Sequence, residues 1–207
     1  CIRDRYRTEL YKLRRKFMSH ADGLIHADLH TSNIMASRDK MKVIDMEFAF
    51  MGPFGYDLGY LVGNLISQYC AACFKRFPSE QNRKQFKAYL LATIQSLIET
   101  YMKTFTLCWE RSVKERYRGQ QGLLQSILQE VMVDMPGYAS MVNWFRSVSE
   151  IPYPDFDVIE NKDAKRNATV LSLMIDWGIM FGRYKYQSAD DLIETIIGIE
   201  EEFRKSL

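Results

Sequence analysis

The chain opens with a helical period. From Ile2 to Met18, apolar residues recur at Ile2, Tyr6, Leu10, Leu13 and Phe17, in steps of three or four. One stripe of a helix is therefore buried, and the basic residues between these positions face solvent. The period then changes. Gly23-Leu24-Ile25-His26 reads as a short strand, Asn33-Ile34-Met35-Ala36 as a second and Met41-Lys42-Val43-Ile44-Asp45 as a third. Ser37-Arg38-Asp39-Lys40 lies between the last two, a length that suits a hairpin turn. Gly52-Pro53-Phe54-Gly55 breaks the chain, and Asp57 stands where a helix N-cap belongs, ahead of Leu58-Gly59-Tyr60-Leu61-Val62.

Beyond Asp57 the pattern predicts helices. Gln85 to Trp109 carries Phe86, Leu90, Ile94, Leu97, Tyr101, Phe105 and Cys108 on one stripe, and Gly122–Met132 and Ala164–Tyr184 follow the same period. Ser188 begins a last helix, with Asp190 and Asp191 in its first turn, where negative charge suits the helix dipole. The proline-bearing stretch from Val133 to Lys162, with Pro136, Pro152 and Pro154, predicts a loop or small subdomain. The fold class expected is α+β and mostly α: one domain over residues 1–207, with polar specialisation concentrated between His26 and Asp57.

Composition narrows the function. Apolar residues are 47% and charged residues 26% of 207, the balance of a globular chain. A net charge of +2 gives no reason to expect a nucleic-acid polymer as partner. The most apolar run, Leu58 to Phe74, is interrupted by Asn64 and Gln68 and reads as a buried helix, so no membrane contact is expected. Four cysteines without a second CxxC suggest a reducing, cytoplasmic setting, with Cys70 and Cys73 as small buried hydrophobes. Asn167-Ala168-Thr169, a glycosylation pattern, follows no signal peptide and is read as incidental. The chain begins on Cys1, and the expectation is the back part of a longer protein.

The chemistry lies in His26-Ala27-Asp28-Leu29-His30-Thr31-Ser32-Asn33, an HxDxxxxN pattern on a loop between strands, followed by Asp45-Met46-Glu47 after the strand Val43-Ile44. If extension continues past Asp45, a period of two puts Asp45 and Glu47 on one side. With an amide oxygen from Asn33 they make a hard oxygen set that suits Mg²⁺. Asp28 is placed to accept a hydroxyl proton while the metal neutralises a transferring phosphoryl group. His26 is expected to shape the loop by bonding backbone, and His30 and Thr31 either face a substrate or lie on an exposed loop.

The run from Val43 to Gly59, VIDMEFAFMGPFGYDLG, together with HADLHT at residues 26–31, resembles the methylthioribose kinases, within the aminoglycoside phosphotransferase and choline kinase superfamily. The resemblance implies the C-terminal lobe of a protein-kinase-like fold. It implies Asp28 as catalytic base at a sugar hydroxyl, and Asp45 and Glu47, in the Asp45-Met46-Glu47 cofactor loop, as ligands of the Mg²⁺ that bridges ATP phosphates. It also implies substrate contacts from Asp28, His30 and an arginine near Gly182, for which Arg183 is the candidate; the plain alternative for Arg183 is a solvated residue beside Lys185. Ala27 replaces the usual glycine, and Asn33 stands where methylthioribose kinases often carry serine, asparagine being commoner in choline kinases and aminoglycoside phosphotransferases. The 25 residues before His26 hold no glycine-rich loop or strand lysine, so the ATP-binding lobe is absent and this chain alone is expected to bind ATP poorly.

Three functions follow. The first is a kinase acting on a sugar hydroxyl, with 5-methylthioribose in front. The second is a choline or ethanolamine kinase, in which Trp109, Tyr138, Trp144, Phe145 and Trp177 would cage a cation, although aromatics at helical spacing are more often core. The third is a truncated, non-catalytic binding module. The sequence leaves a homodimer open.

Overall fold

The computed structural model describes residues 2–150 and 153–207, with residues 2 and 3 described by backbone alone. Helix α1 (Ile2–Ser19) presents the expected stripe: Leu13 is fully buried, and Tyr6, Leu10 and Phe17 pack around it against Tyr138. The side chain of Ile2 lies outside the described residues. Strand β1 (Gly23–Ile25) follows, then β2 (Ile34–Ala36) and β3 (Met41–Val43), which pair antiparallel as the expected hairpin with Ile34 opposite Val43. Ser37 closes the turn, its amide donating to the Lys40 carbonyl at 2.8 Å.

A fourth strand, β4 (Phe50–Gly52), was not expected. It pairs antiparallel with β1, Gly23 opposite Gly52 and Ile25 opposite Phe50. Three residues are too few to show an alternating pattern, and the adjacent Gly52-Pro53 disguised the strand as a break.

Helix α2 (Gly55–Ala72) runs through the centre of the core and packs on α3 (Glu80–Ser112), α4 (Gln121–Val148) and α6 (Lys162–Gly182). Val62, Ile66, Ile94, Ile98, Met135, Leu171, Ile175 and Ile179 form its dry interior. Cys70 and Cys73 are buried free thiols within it, as read, whereas Cys108 at the end of the α3 stripe is exposed. Asp57 does not cap α2. Phe54 occupies the cap, and Asp57 sits in the first turn with its carboxylate turned to the loop after β1.

The largest departure is α4. The region from Val133 was expected to be irregular, but the helix continues to Val148 with Pro136 inside it. A proline there forfeits one backbone hydrogen bond, at about 3 kcal/mol. Tight packing offsets this. Gly55, Gly59 and Gly63 line one face of α2, and a Cβ on Gly59 would sit 2.6 Å from the Met135 carbonyl oxygen. The two backbones thus meet without side chains between them, burying Met135 and Ala139 completely. Only the stretch after Val148 is irregular, broken by the short α5 (Pro154–Asp157); Pro152 lies outside the described residues.

Helix α6 is capped by Asn161, which accepts from the Ala164 amide at 2.9 Å. The last helix, α7 (Ala189–Lys205), begins at Ser188 as expected, with Asp191 accepting from the Gln187 and Ser188 amides. The architecture is α+β and mostly α, a helical lobe with two short two-stranded sheets at one end. Among the described residues no helix is long and apolar enough to cross a membrane.

Candidate active site

The loop between β1 and β2 is fixed by its backbone. Ala27 adopts φ = +67°, a left-handed conformation that disfavours any residue with a Cβ. Asp57 supports it: its carboxylate accepts the His26 amide at 2.6 Å and the Ala27 amide at 3.0 Å. His26 is buried and bonds backbone at both ring nitrogens. Nε2 lies 2.8 Å from the Ile44 carbonyl oxygen and Nδ1 3.3 Å from the Asp28 amide. One nitrogen faces an acceptor and the other a donor, so the neutral Nε2–H tautomer satisfies both. His26 therefore shapes the turn, as expected. The Ile44 amide in turn donates to the Asn33 carbonyl at 3.0 Å. These bonds lock the Asp28 loop to the residue just before Asp45.

Asp28 is half-buried at the end of this scaffold. Its Oδ1 accepts the Tyr60 hydroxyl at 2.9 Å, and its Oδ2 lies 3.4 Å from His30 Nε2. Asn33, itself buried, donates Nδ2 to the Asp28 carbonyl at 3.0 Å. Burial, then the hydrogen bond to Asp28 and its charge, raise the Tyr60 phenol far above its ordinary value. Tyr60 is thus a permanent donor at neutral pH. The sequence reading missed Tyr60, though the signal was present: it follows Asp57 by three residues, so both face the same loop.

Asp45 corrects the strand argument. Extension ends at Val43, and Asp45 itself has φ = +67°, so a period of two does not carry through Asp45-Met46-Glu47. Both carboxylates are exposed, and neither meets a cation of the protein among the described residues. Met46 is exposed beside them. No group of three His, Cys, Asp or Glu side chains is placed to hold a metal among the described residues. What is present is a pair of carboxylates without an ion-pair partner among the described residues, together with Asn33, whose Nδ2 rather than its Oδ1 binds the loop.

Arg183 is buried, which overturns the solvated reading. Its Nη2 donates to Glu9 at 2.8 Å and to the Tyr184 hydroxyl at 2.7 Å, and its Nη1 to the Val133 carbonyl at 3.1 Å. It fastens α1 to α4 at the end of α6, and no contact brings it to Asp28, Asp45 or Glu47. The five aromatics do not form one cage. Tyr138, Trp144 and Phe145 line a cavity with Tyr60, Trp177 stacks on Tyr6, and Trp109 borders a separate groove.

This arrangement has counterparts. Residues 2–98 match the phosphotransferase enzyme family. The curated methylthioribose kinase of Geobacillus thermodenitrificans (strain NG80-2) is 32% identical over 197 residues, 95% of this chain and 47% of that protein. The first half of the chain is thus similar to the phosphotransferase enzyme family. Other relatives named methylthioribose kinase, from Geobacillus kaustophilus (strain HTA426) and Exiguobacterium sibiricum, are 33% and 29% identical over 91% and 89% of the chain. The chain spans about half the length of these curated relatives (47%, 45% and 45%). The helical fold and the family match agree with a kinase-like C-terminal lobe.

Proposed function

We propose that this chain supplies the catalytic lobe of an ATP-dependent phosphotransferase whose acceptor is a sugar hydroxyl, with 5-methylthioribose the acceptor that the named relatives favour. The observation that carries the reading is the support of Asp28. A carboxylate held by a neutral phenol, on a loop pinned by Asp57 and His26, is a fixed proton acceptor. It takes the acceptor's hydroxyl proton as that oxygen bonds to the γ-phosphorus and the bond to the ADP oxygen breaks. In this reading His30, whose Nε2 lies 3.4 Å from Asp28 Oδ2, contacts the acceptor.

Asp45, Glu47 and Asn33 Oδ1 offer oxygen alone, the donor chemistry of Mg²⁺, and among the described residues the two carboxylates have no competing cation. When bound, Mg²⁺ supplies charge neutralisation at the nucleotide phosphates. Met41, Met46, Phe48 and Met51, on the chain segment that carries these carboxylates, stand exposed, as befits a face that a nucleotide-binding lobe covers.

The test is phosphoryl transfer from ATP to methylthioribose by the protein carrying this chain, followed by phosphorus NMR. Asp28→Asn should lower kcat by about 10²–10⁴-fold with the fold retained. Equal turnover by the variant, or no transfer to methylthioribose or related alcohols, sinks the reading.

A further inference from the structure

A cavity of about 520 Å³ opens between α1, α4 and α6, and Asp28, Asp45 and Glu47 are absent from its walls. Tyr6 and Leu10 come from α1, Trp144 from α4, and Leu173 and Trp177 from α6. Tyr6 and Trp177 lie nearly parallel, their ring centroids 5.8 Å apart, while Trp144 is exposed. The size and the aromatic walls are those of a small-molecule site. Leu10 and Trp144 also border the cavity beside Tyr60, so a ligand here is located by its contacts with residues that belong to one cavity alone.

One polar side chain interrupts these walls. Asp176 lines the cavity and is only 1% exposed. The bonds around it have a fixed direction. The Ser67 hydroxyl donates to Asn143 Oδ1 at 2.7 Å, so Asn143 turns its Nδ2 to Asp176 Oδ1, also at 2.7 Å. Oδ1 is therefore the accepting oxygen. Burial raises the carboxyl well above its ordinary 3.8, so the group is a neutral acid and its hydrogen stands on Oδ2. Among the described residues Oδ2 has no partner. The neighbouring hydroxyls are engaged: Tyr6 is bonded to Ser140 at 2.6 Å, and Ser140 donates to the Asp176 carbonyl at 2.9 Å. What remains is a buried donor among aromatic rings, lacking an acceptor.

Aromatic walls beside a carboxyl group suit a cationic amine in general, but two features oppose one here. The acid is uncharged, and Arg7 stands exposed at the rim. Arg5 adds a second positive charge nearby, over the Phe181 ring that packs on Trp177. We propose that this cavity is a second ligand site, taking a flat heteroaromatic molecule whose ring nitrogen accepts the Asp176 Oδ2 hydrogen while the aromatic walls cover its faces. The inference stands apart from the phosphotransferase reading, since no residue assigned to phosphoryl transfer lines the cavity. A ring nitrogen that meets the buried donor should improve binding about tenfold or more over a ring of like size without one.

The probes are quinoline, whose ring nitrogen accepts, and indole, of similar size, whose N–H donates. Calorimetric titration at pH 7 of the protein carrying this chain should show quinoline bound more tightly by about tenfold or more. In protein labelled at leucine and methionine methyls, NMR should show contacts from quinoline protons to Leu173, which lines this cavity, and none to Met141, which lines only the cavity beside Tyr60. Asp176→Asn presents an amide N–H where the acid hydrogen stood and should keep the preference. Asp176→Leu removes the donor and should abolish it; if that variant fails to fold, the methyl contacts and the Asp176→Asn result decide. Equal affinities, no binding of either probe, contacts at Met141, loss of the preference in Asp176→Asn or its survival in Asp176→Leu would each overturn the proposal.

Discussion

Asp57 holds Ala27 in a conformation that alanine disfavours. The Ala27 amide lies 3.0 Å from Asp57 Oδ1 while φ at Ala27 is +67°. The left-handed backbone costs a residue with a Cβ roughly 1 kcal/mol. Ala27→Gly should therefore stabilise the fold by about 0.5–1 kcal/mol in urea unfolding. Asp57→Ala, which strips the acceptor from two amides, should cost about 2–3 kcal/mol. A destabilised Ala27→Gly would show that the loop is not left-handed in solution.

Acid should loosen the attachment of α1. Burial alone would raise the Glu9 carboxyl, but bonds from Lys12, Tyr184 and Arg183 bring it down to about 2. Glu200 is likewise held at about 2, against burial, by Lys87, Tyr69 and Arg204. Both values lie below the ordinary 4.5, so the unfolded chain binds protons first as pH falls. Their contribution is present above pH 4.5 and lost on the way down to about 2. Glu9→Gln should flatten the fall in melting temperature across that window, while costing about 3 kcal/mol at neutral pH by leaving buried Arg183 only the more distant Asp134, at 3.8 Å. An unchanged pH profile would refute the pairing.

Asp176 should respond in the opposite sense. It is fully buried, receives Asn143 Nδ2 on Oδ1 at 2.7 Å and, among the described residues, has no partner on Oδ2. Burial raises its carboxyl well above 3.8, so it stays protonated in the fold and ionises on unfolding. Its presence therefore favours the unfolded chain increasingly as pH rises past that value. Asp176→Asn keeps the Asn143 bond and removes the penalty. The variant should melt higher than the parent at pH 7, and its advantage should shrink towards pH 3. An equal gain at both values would contradict the assignment.

Two glycines should give opposite results. Gly59→Ala forces a Cβ against the Met135 carbonyl oxygen at 2.6 Å and the Tyr138 Cβ at 2.7 Å, and should destabilise by about 2–3 kcal/mol as α2 and α4 separate. A Cβ on Gly198 in α7 meets nothing within 4 Å, and Gly198→Ala should stabilise by up to about 1 kcal/mol. Thermal melts of the pair measure how much of the core depends on close backbone contact.

What the sequence made legible was local. The α1 stripe, the hairpin over Ser37–Lys40 and the Ser188 start of α7 follow from side-chain period and turn chemistry over a few residues. The backbone role of His26 was also readable, since HxD on a short loop leaves little room for the ring elsewhere. What stayed hidden needed a distant partner. Pro136 looked like a helix breaker because its compensation, the Gly55-Gly59-Gly63 face, lies in another helix. Arg183 looked solvated because Glu9 is far away in the chain. Asp45 looked extended because nothing in VIDME announces a positive φ.

The Glu9–Arg183 bond joins residues 174 positions apart. On the ribosome, α1 therefore emerges long before the arginine that fastens it, a delay of roughly 10–35 seconds at ordinary elongation rates. Through most of that interval Leu13 lacks Tyr138 and Met180, the buried residues it packs with. The first helix of this lobe is among the last to be seated, and a nascent chain halted before Arg183 would present it to chaperones.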